Sequence, residues 1–289
     1  MVARHGIAAK ARLLPGRMKI GPKSVLQRHN VNVSGDGERT IMFAHGFGCD
    51  QAMWKPVAST FEHDFRIVLF DYVGHGGSDL AAYSADRYSS LQGYARDIVE
   101  IGRALDLRDA VFVGHSVSAM IGALASLEDP GLFSELVMVG PSPRYIDDHG
   151  YRGGFSREQV DELLEFLADN HLGCSAAMAP AIMGNADRPE LSSRLENSFC
   201  STDPAIARDF ARVTFLSDNR SDLASVRART LVLQCADDII APVEVGEYVH
   251  ANVPRSEFRM LQATGHCPNL SAPAEVAAAI RDFVHADAD

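Results

Sequence analysis

Short apolar runs recur along the chain, and most of them end at a glycine, a histidine or a carboxylate. Thr40–Ala44, Arg66–Phe70, Arg108–Val113, Leu136–Gly140, the run from Leu231 and Phe258–Leu261 each have the length and content of a buried strand. After the third of these the spacing changes. Residues 117 to 127 place Val117, Ala119, Met120, Ile121, Ala123, Leu124 and Leu127 as a largely buried helix would. Strands interleaved with helices predict one large α/β domain. The stretch from Pro143 to residue 225 breaks the alternation. Four helical patterns follow one another there: 156–169, 171–184, 189–199 and 204–215. Ser156 with Gln159 resembles a capping box, and Pro189 and Pro204 suit first helical positions. The expected domains are therefore a core of 25–142 and 226–289, with a helical lid over 143–225. Phe155, Met178 and Phe215 are candidates for the substrate pocket beneath that lid, with Met183 and Phe210 also on its inner surface.

The junction between the third strand and its helix carries the most chemistry. It reads Val113-Gly114-His115-Ser116-Val117-Ser118-Ala119. A serine on a tight strand-to-helix turn projects its hydroxyl above the sheet edge and faces free backbone N–H groups. That is the nucleophile elbow of an α/β-hydrolase, with Ser118 in place of the usual last glycine. Motifs this short are common by chance, so chain order has to decide. The strand from Leu231 ends in Asp237-Asp238, and the last strand leads into Thr264-Gly265-His266. Serine, then aspartate, then histidine is the order of α/β-hydrolases among the common triad folds. Adjacent strand-end residues point opposite ways, so only one of Asp237 and Asp238 can face His266. The strand Thr40–Ala44 opens into His45-Gly46-Phe47-Gly48, where that fold places an oxyanion loop. The N–H groups of Phe47 and Val117 are the expected donors. His45 reads as a residue that shapes this loop. Asp71 to Ser78 reads as a glycine-eased turn, since it lacks the lysine of a phosphate loop.

Composition narrows the partners. The chain has 289 residues, 46% hydrophobic, with a net charge of −11, which disfavours nucleic acid and anionic membrane. No apolar stretch is long enough to span a bilayer. Cys49, Cys174, Cys200, Cys235 and Cys267 are odd in number and widely spaced, so neither a disulfide framework nor a zinc site is indicated. A cytoplasmic location with no metal and no cofactor fits. The basic residues Arg4, Lys10, Arg12, Arg17, Lys19 and Lys23 all precede the first acid, Asp36. Residues 1–24 read as a disordered extension, or as sequence upstream of a start at Met18, in preference to a transit peptide.

From about Gln27 to Val284 the chain resembles the RsbQ-like serine hydrolases of the α/β-hydrolase superfamily. That group includes the strigolactone and karrikin receptor hydrolases. The likeness is carried by Phe47-Gly48-Cys49-Asp50-Gln51, Leu69-Phe70-Asp71-Tyr72-Val73-Gly74, Val137 to Pro143, Phe199 to Pro204 and Gln234 to Pro242. It implies a mostly parallel, eight-stranded-type sheet with helices on both faces and an inserted four-helix cap. It selects Asp238 over Asp237 by the spacing to Pro242, and so implies a Ser116/Asp238/His266 triad beside a small hydrophobic pocket. The predicted lid would enclose its substrate, so a small apolar ester or lactone is expected. A stress-signalling role with a PAS-domain phosphatase as partner is also implied. The rivals are a slow or single-turnover receptor and a carbon–carbon bond hydrolase or cofactor-free haloperoxidase. Serine at position 116 excludes a haloalkane dehalogenase, which needs aspartate there.

Overall fold

The computed structural model describes residues 23–169 and 171–286. The basic segment 1–22 of the expected extension lies outside them. Seven strands form one sheet: β1 (Asn32–Ser34), β2 (Arg39–Ala44), β3 (Phe65–Leu69), β4 (Ala110–His115), β5 (Phe133–Val139), β6 (Arg229–Cys235) and β7 (Ser256–Leu261). Their spatial order is β1-β3-β2-β4-β5-β6-β7. Only β1 runs antiparallel, against β3; every other pairing is parallel. The described sheet thus has one strand fewer than the eight-stranded type expected. The segment ahead of β1 is a short helix instead, α1 (Val25–Arg28), because Ser24 and Gln27 form a capping box around it.

Parallel neighbours need crossovers, and helices supply them. These are α2 (Lys55–Ala58), α3 (Leu91–Ala104), α4 (Val117–Glu128) and α9 (Val243–Asn252), while α10 (Pro268–Ser271) and α11 (Pro273–His285) follow the last strand. Between β5 and β6 the chain forms α5 (Arg157–Asp169), α6 (His171–Met183), α7 (Pro189–Ser201) and α8 (Pro204–Phe215). The sheet is covered on both faces, as β2 illustrates. Ile41 and Phe43 join one apolar cluster and Met42 and Ala44 the other, all four at 0% exposure. All six residues of the central strand β4 are buried. Burial on both faces explains why these strands read as continuous apolar runs without alternation. Their carboxyl ends share one edge of the sheet, which is where side chains from distant segments can meet.

One polar cluster is sealed into the α3 side of this core. Asp97 is fully buried. It accepts hydrogen bonds from Arg87 Nε (3.1 Å) and from the Tyr88 hydroxyl (2.8 Å), and His29 Nε2 lies 3.7 Å away. Arg87 also donates to Glu100 at 2.8 Å, and Arg28 pairs with the same carboxylate. Arg87 is the cation that makes this burial tolerable. Replacing it with Ala should cost about 3–5 kcal/mol of unfolding free energy, because an ionised carboxylate is left in the core without its partner. Urea denaturation measures this, and a loss well under about 1 kcal/mol would show that Asp97 is held by other means.

Candidate active site

Ser116 sits between the end of β4 and the start of α4 with φ 57° and ψ −125°. Few non-glycine residues hold a positive φ, and here it turns the chain sharply enough to stand the hydroxyl at the sheet edge. The turn needs close approach of strand and helix. A Cβ at Gly114 would lie 2.5 Å from the Ser118 carbonyl oxygen, and one at Gly122 would lie 2.2 Å from the Phe112 ring. Gly114 is the motif's own first glycine, and Gly122 adds clearance one turn further along α4, where the Phe112 ring packs. The backbone N–H of Ser116 donates to Val139 O at 2.8 Å and pins the turn to β5.

His266 and Asp238 reach the same point from β7 and β6. His266 Nδ1 lies 2.7 Å from Asp238 Oδ2, and its Nε2 lies 2.8 Å from Ser116 Oγ. A carboxylate at Nδ1 holds the proton there, which leaves Nε2 free to accept from the serine hydroxyl. The other carboxylate oxygen of Asp238 accepts from the N–H groups of Ile240 (2.8 Å) and Ala241 (3.0 Å). Burial pushes the Asp238 carboxyl up, but His266 and these two amides outweigh it and hold the acid below its ordinary value. Asp237, by contrast, is exposed. Both backbone groups of His266 are also held: its N–H donates to Ile182 O at 2.8 Å, and its carbonyl accepts from His115 Nε2 at 2.7 Å. His115 and Gly140 had no distinguishing mark in the sequence beyond their positions in strand ends. A Cβ at Gly140 would come within 3.3 Å of both Asp238 Oδ2 and the His266 ring, so glycine there keeps the acid–base contact clear.

The loop after β2 lies against the elbow. A Cβ on Gly46 would stand 2.5 Å from His115 Nδ1 and 3.4 Å from Ser116 Cβ. Phe47 lines the same pocket as Ser116. Val117 is the first residue of α4, so its N–H has no partner within the helix. Phe47 and Val117, the residues of the expected oxyanion donors, thus lie in the pocket lining and directly after Ser116 respectively. His45 is buried between them and β3: its Nε2 accepts from the Tyr72 N–H (3.2 Å), and its Nδ1 lies 3.0 Å from Gly46 O.

Residues 41–279 match the model of the alpha/beta hydrolase family. The chain belongs to that family. A petunia (Petunia hybrida) karrikin insensitive 2 receptor is 36% identical over 91% of this chain and 98% of its own length. Strigolactone esterase D14 of Arabidopsis thaliana is 36% identical over 89% and 97%. Among solved structures, a hydrolase from Oleispira antarctica is 41% identical and superposes with a TM-score of 0.88 over 90% of this chain and 96% of that one. These relatives agree with the RsbQ-like group.

The pocket of this alpha/beta hydrolase is small and mostly apolar. About 30 Å³ of free space lies beside Ser116, bounded by Phe47, Tyr145, Met178, Leu195, Phe199 and Phe215 among others. Such a volume holds a water or two, not an ester. Met178, Ile182 and Ile240 also border an outer groove of about 430 Å³. Two of the three pocket candidates, Met178 and Phe215, thus line the inner space. Phe155 does not: it borders the outer groove and packs on Phe215 from outside, with ring centroids 6.2 Å apart. Its bridge to Ile146 holds it there. Met183 is fully buried without lining the pocket, and Phe210 packs instead on Tyr94 and His75. Leu195 and Phe199 of α7 were missed, because helical spacing marks a buried face but not what lies beyond it, and Tyr145 was missed because it sits on the irregular segment after β5, where no period exists. The Tyr145 hydroxyl is buried in the same pocket as Ser116: burial pushes its pKa up, and its contact with the Ser116 side chain opposes that push.

Among the described residues, one group could offer three metal-ligand atoms, His29, Asp97 and Glu100. Arg87 and Arg28 already occupy its carboxylates, so its charge is balanced without an ion. Cys49, Cys200, Cys235 and Cys267 are free thiols. No helix of the described residues is long and apolar enough to cross a membrane.

Buried histidines beneath the site make the hydrolase sensitive to acid. Burial first and His266 second push His115 down to about 3; burial and then His45 do the same to His75. An unfolded chain takes up protons at these imidazoles below about pH 6.5, whereas the folded one resists until about pH 3. Folding stability should therefore fall as pH drops from 6.5, by up to about 1.4 kcal/mol per pH unit for each histidine. Exchanging His75 for Phe, which suits its contacts with Phe210 and His45, should flatten that slope between pH 6 and 4.5. Identical slopes in urea titrations of the two proteins would contradict this.

Proposed function

We propose that the chain is a serine hydrolase of small apolar esters or lactones, with Ser116, His266 and Asp238 as its triad. The continuous hydrogen-bond path from Asp238 through His266 to Ser116, set under an apolar pocket, is the observation that supports this. His266 takes the hydroxyl proton as Ser116 Oγ attacks the carbonyl carbon, and Asp238 stabilises the imidazolium. The N–H groups of Phe47 and Val117 receive the oxyanion. Collapse of the tetrahedral intermediate passes the proton to the leaving alcohol and leaves an acyl group on Ser116. Water, deprotonated by His266, then releases the acid. Every group used is a side chain or a backbone amide, so the scheme calls for no cofactor.

A second reading is favoured by the receptor relatives and by the closed pocket: a ligand receptor with slow or single turnover, which keeps the same triad. The stress-signalling role with a PAS-domain phosphatase would belong with this reading.

Replacing Ser116 with Ala should lower turnover of p-nitrophenyl acetate by at least about 10⁴-fold. Retained turnover in that variant would remove the nucleophile assignment. Mass spectrometry after ligand exposure separates the two readings. A lasting adduct on Ser116 or His266 with negligible multiple turnover identifies the receptor, and a free enzyme after many turnovers identifies the esterase.

The wall between pocket and groove yields a further outcome. Met178→Ala should join the two spaces and raise kcat/KM for p-nitrophenyl hexanoate relative to acetate by at least about tenfold, the gain expected if even one of the four extra methylenes finds apolar contact worth roughly 1–1.4 kcal/mol. An unchanged ratio would place the acyl chain elsewhere.

A further inference from the structure

The residue that replaces the elbow glycine makes two hydrogen bonds that the triad does not use. Ser118 Oγ lies 2.5 Å from the carbonyl oxygen of His45, and the Tyr72 hydroxyl lies 2.8 Å from Ser118 Oγ. A carbonyl can only accept, so Ser118 spends its single proton on His45. Tyr72 must then donate to Ser118. A second link runs alongside: the Tyr72 N–H donates to His45 Nε2, which leaves the ring proton on Nδ1, directed at Gly46 O. Ser118, His45 and Tyr72 are all at 0% exposure. Water cannot replace these bonds if they are cut.

Their placement gives them a use. His45 lies two residues before Phe47, and Ser118 lies one residue after Val117. The bond between Ser118 and His45 therefore ties together, across 73 positions of sequence, the two segments that carry the oxyanion donors. The turn forms with Ser118 fully buried while Gly114 and Gly122 clear α4 against β4, so position 118 accommodates a hydroxyl. Donors in a preorganised hole act only if their separation holds while charge develops between them. We propose that Ser118 is a positioning residue for the oxyanion hole, with Tyr72 holding its hydroxyl on the His45 carbonyl. This rests on the serine-hydrolase reading above.

Ser118→Ala should lower kcat for p-nitrophenyl acetate by about 10- to 100-fold, less than outright loss of an oxyanion donor, while KM stays within about twofold. Phenylboronic acid, whose tetrahedral adduct on Ser116 places an oxygen in the hole, should bind more weakly by the same factor as kcat/KM falls. A purely structural role would lower the melting temperature and leave this parallel absent. Tyr72→Phe keeps the bond from Ser118 to His45 and should cost less, and the double variant should be no worse than Ser118→Ala alone. Wild-type kcat in Ser118→Ala, with Ser116→Ala inactive, would overturn the proposal and spare the serine-hydrolase reading. Lost kcat with undiminished boronate affinity would overturn it as well. Full activity in Ser116→Ala would instead sink the reading beneath it. Should Ser118→Ala fail to fold, Tyr72→Phe decides: a matched fall in boronate affinity and kcat/KM supports the proposal, and unchanged values refute it.

Discussion

Everything at this site depends on one strained residue being held where it is. Ser116 has a left-handed φ of 57°, a conformation that costs a side-chain-bearing residue of order 1–3 kcal/mol. Three features support the strain. β4 is buried along its whole length, α4 approaches it over Gly114 and Gly122, and the Ser116 N–H is bonded to Val139 O. Without the sharp turn the hydroxyl would point along the strand, and the first free amides of α4 would point elsewhere. The core of the sheet is thus spent on orienting a single oxygen.

The remaining groups are brought to that oxygen by topology. Strand ends of a parallel sheet share an edge, so β4, β5 and β6 deliver Ser116, Gly140 and Asp238 to one place while β7 leads into the His266 loop. His266 is the best-anchored member. Its ring spans Asp238 and Ser116, its carbonyl is held by His115, and its N–H is held by the last turn of α6. Gly265 belongs to the same joint, since a Cβ there would lie 2.0 Å from Met183 O. The helices between β5 and β6 are consequently not an independent cover. Movement of α6 acts directly on the backbone of the proposed base.

Much of this could be read from residue order, and the limits of that reading have physical causes. Apolar runs marked the strands because both sheet faces are covered, and serine, aspartate and histidine stood at their ends in the order one fold requires. The residues alone left Asp237 and Asp238 open and the spacing to Pro242 in the resemblance selected Asp238; in the structure Asp238 is the one buried against His266. Contacts made sideways were illegible. Nothing local marks the 73-residue link from Ser118 to His45, the support of His115 under the His266 carbonyl, or the exclusion of Phe155 from the inner pocket. Periodicity reports that a side chain is buried; the neighbour it is buried against is a property of three dimensions. The short first helix, closed by Ser24 and Gln27 as a capping box, was not read from the sequence because four residues are too few to show a period.

Enclosure and access pull in opposite directions at this pocket. A dry, apolar surround strengthens every charge interaction made with a developing oxyanion. Yet about 30 Å³ beside Ser116 admits no ester, while some 430 Å³ lies just outside Met178, Ile182 and Ile240. Ile182 is both part of that partition and the acceptor for the His266 N–H. Displacing the partition to let a ligand in therefore disturbs the residue that anchors the base, and re-forming it restores the geometry for proton transfer. The partition and the anchor of His266 thus share one residue, so the proposed chemistry couples the path into the pocket to the position of the base through Ile182.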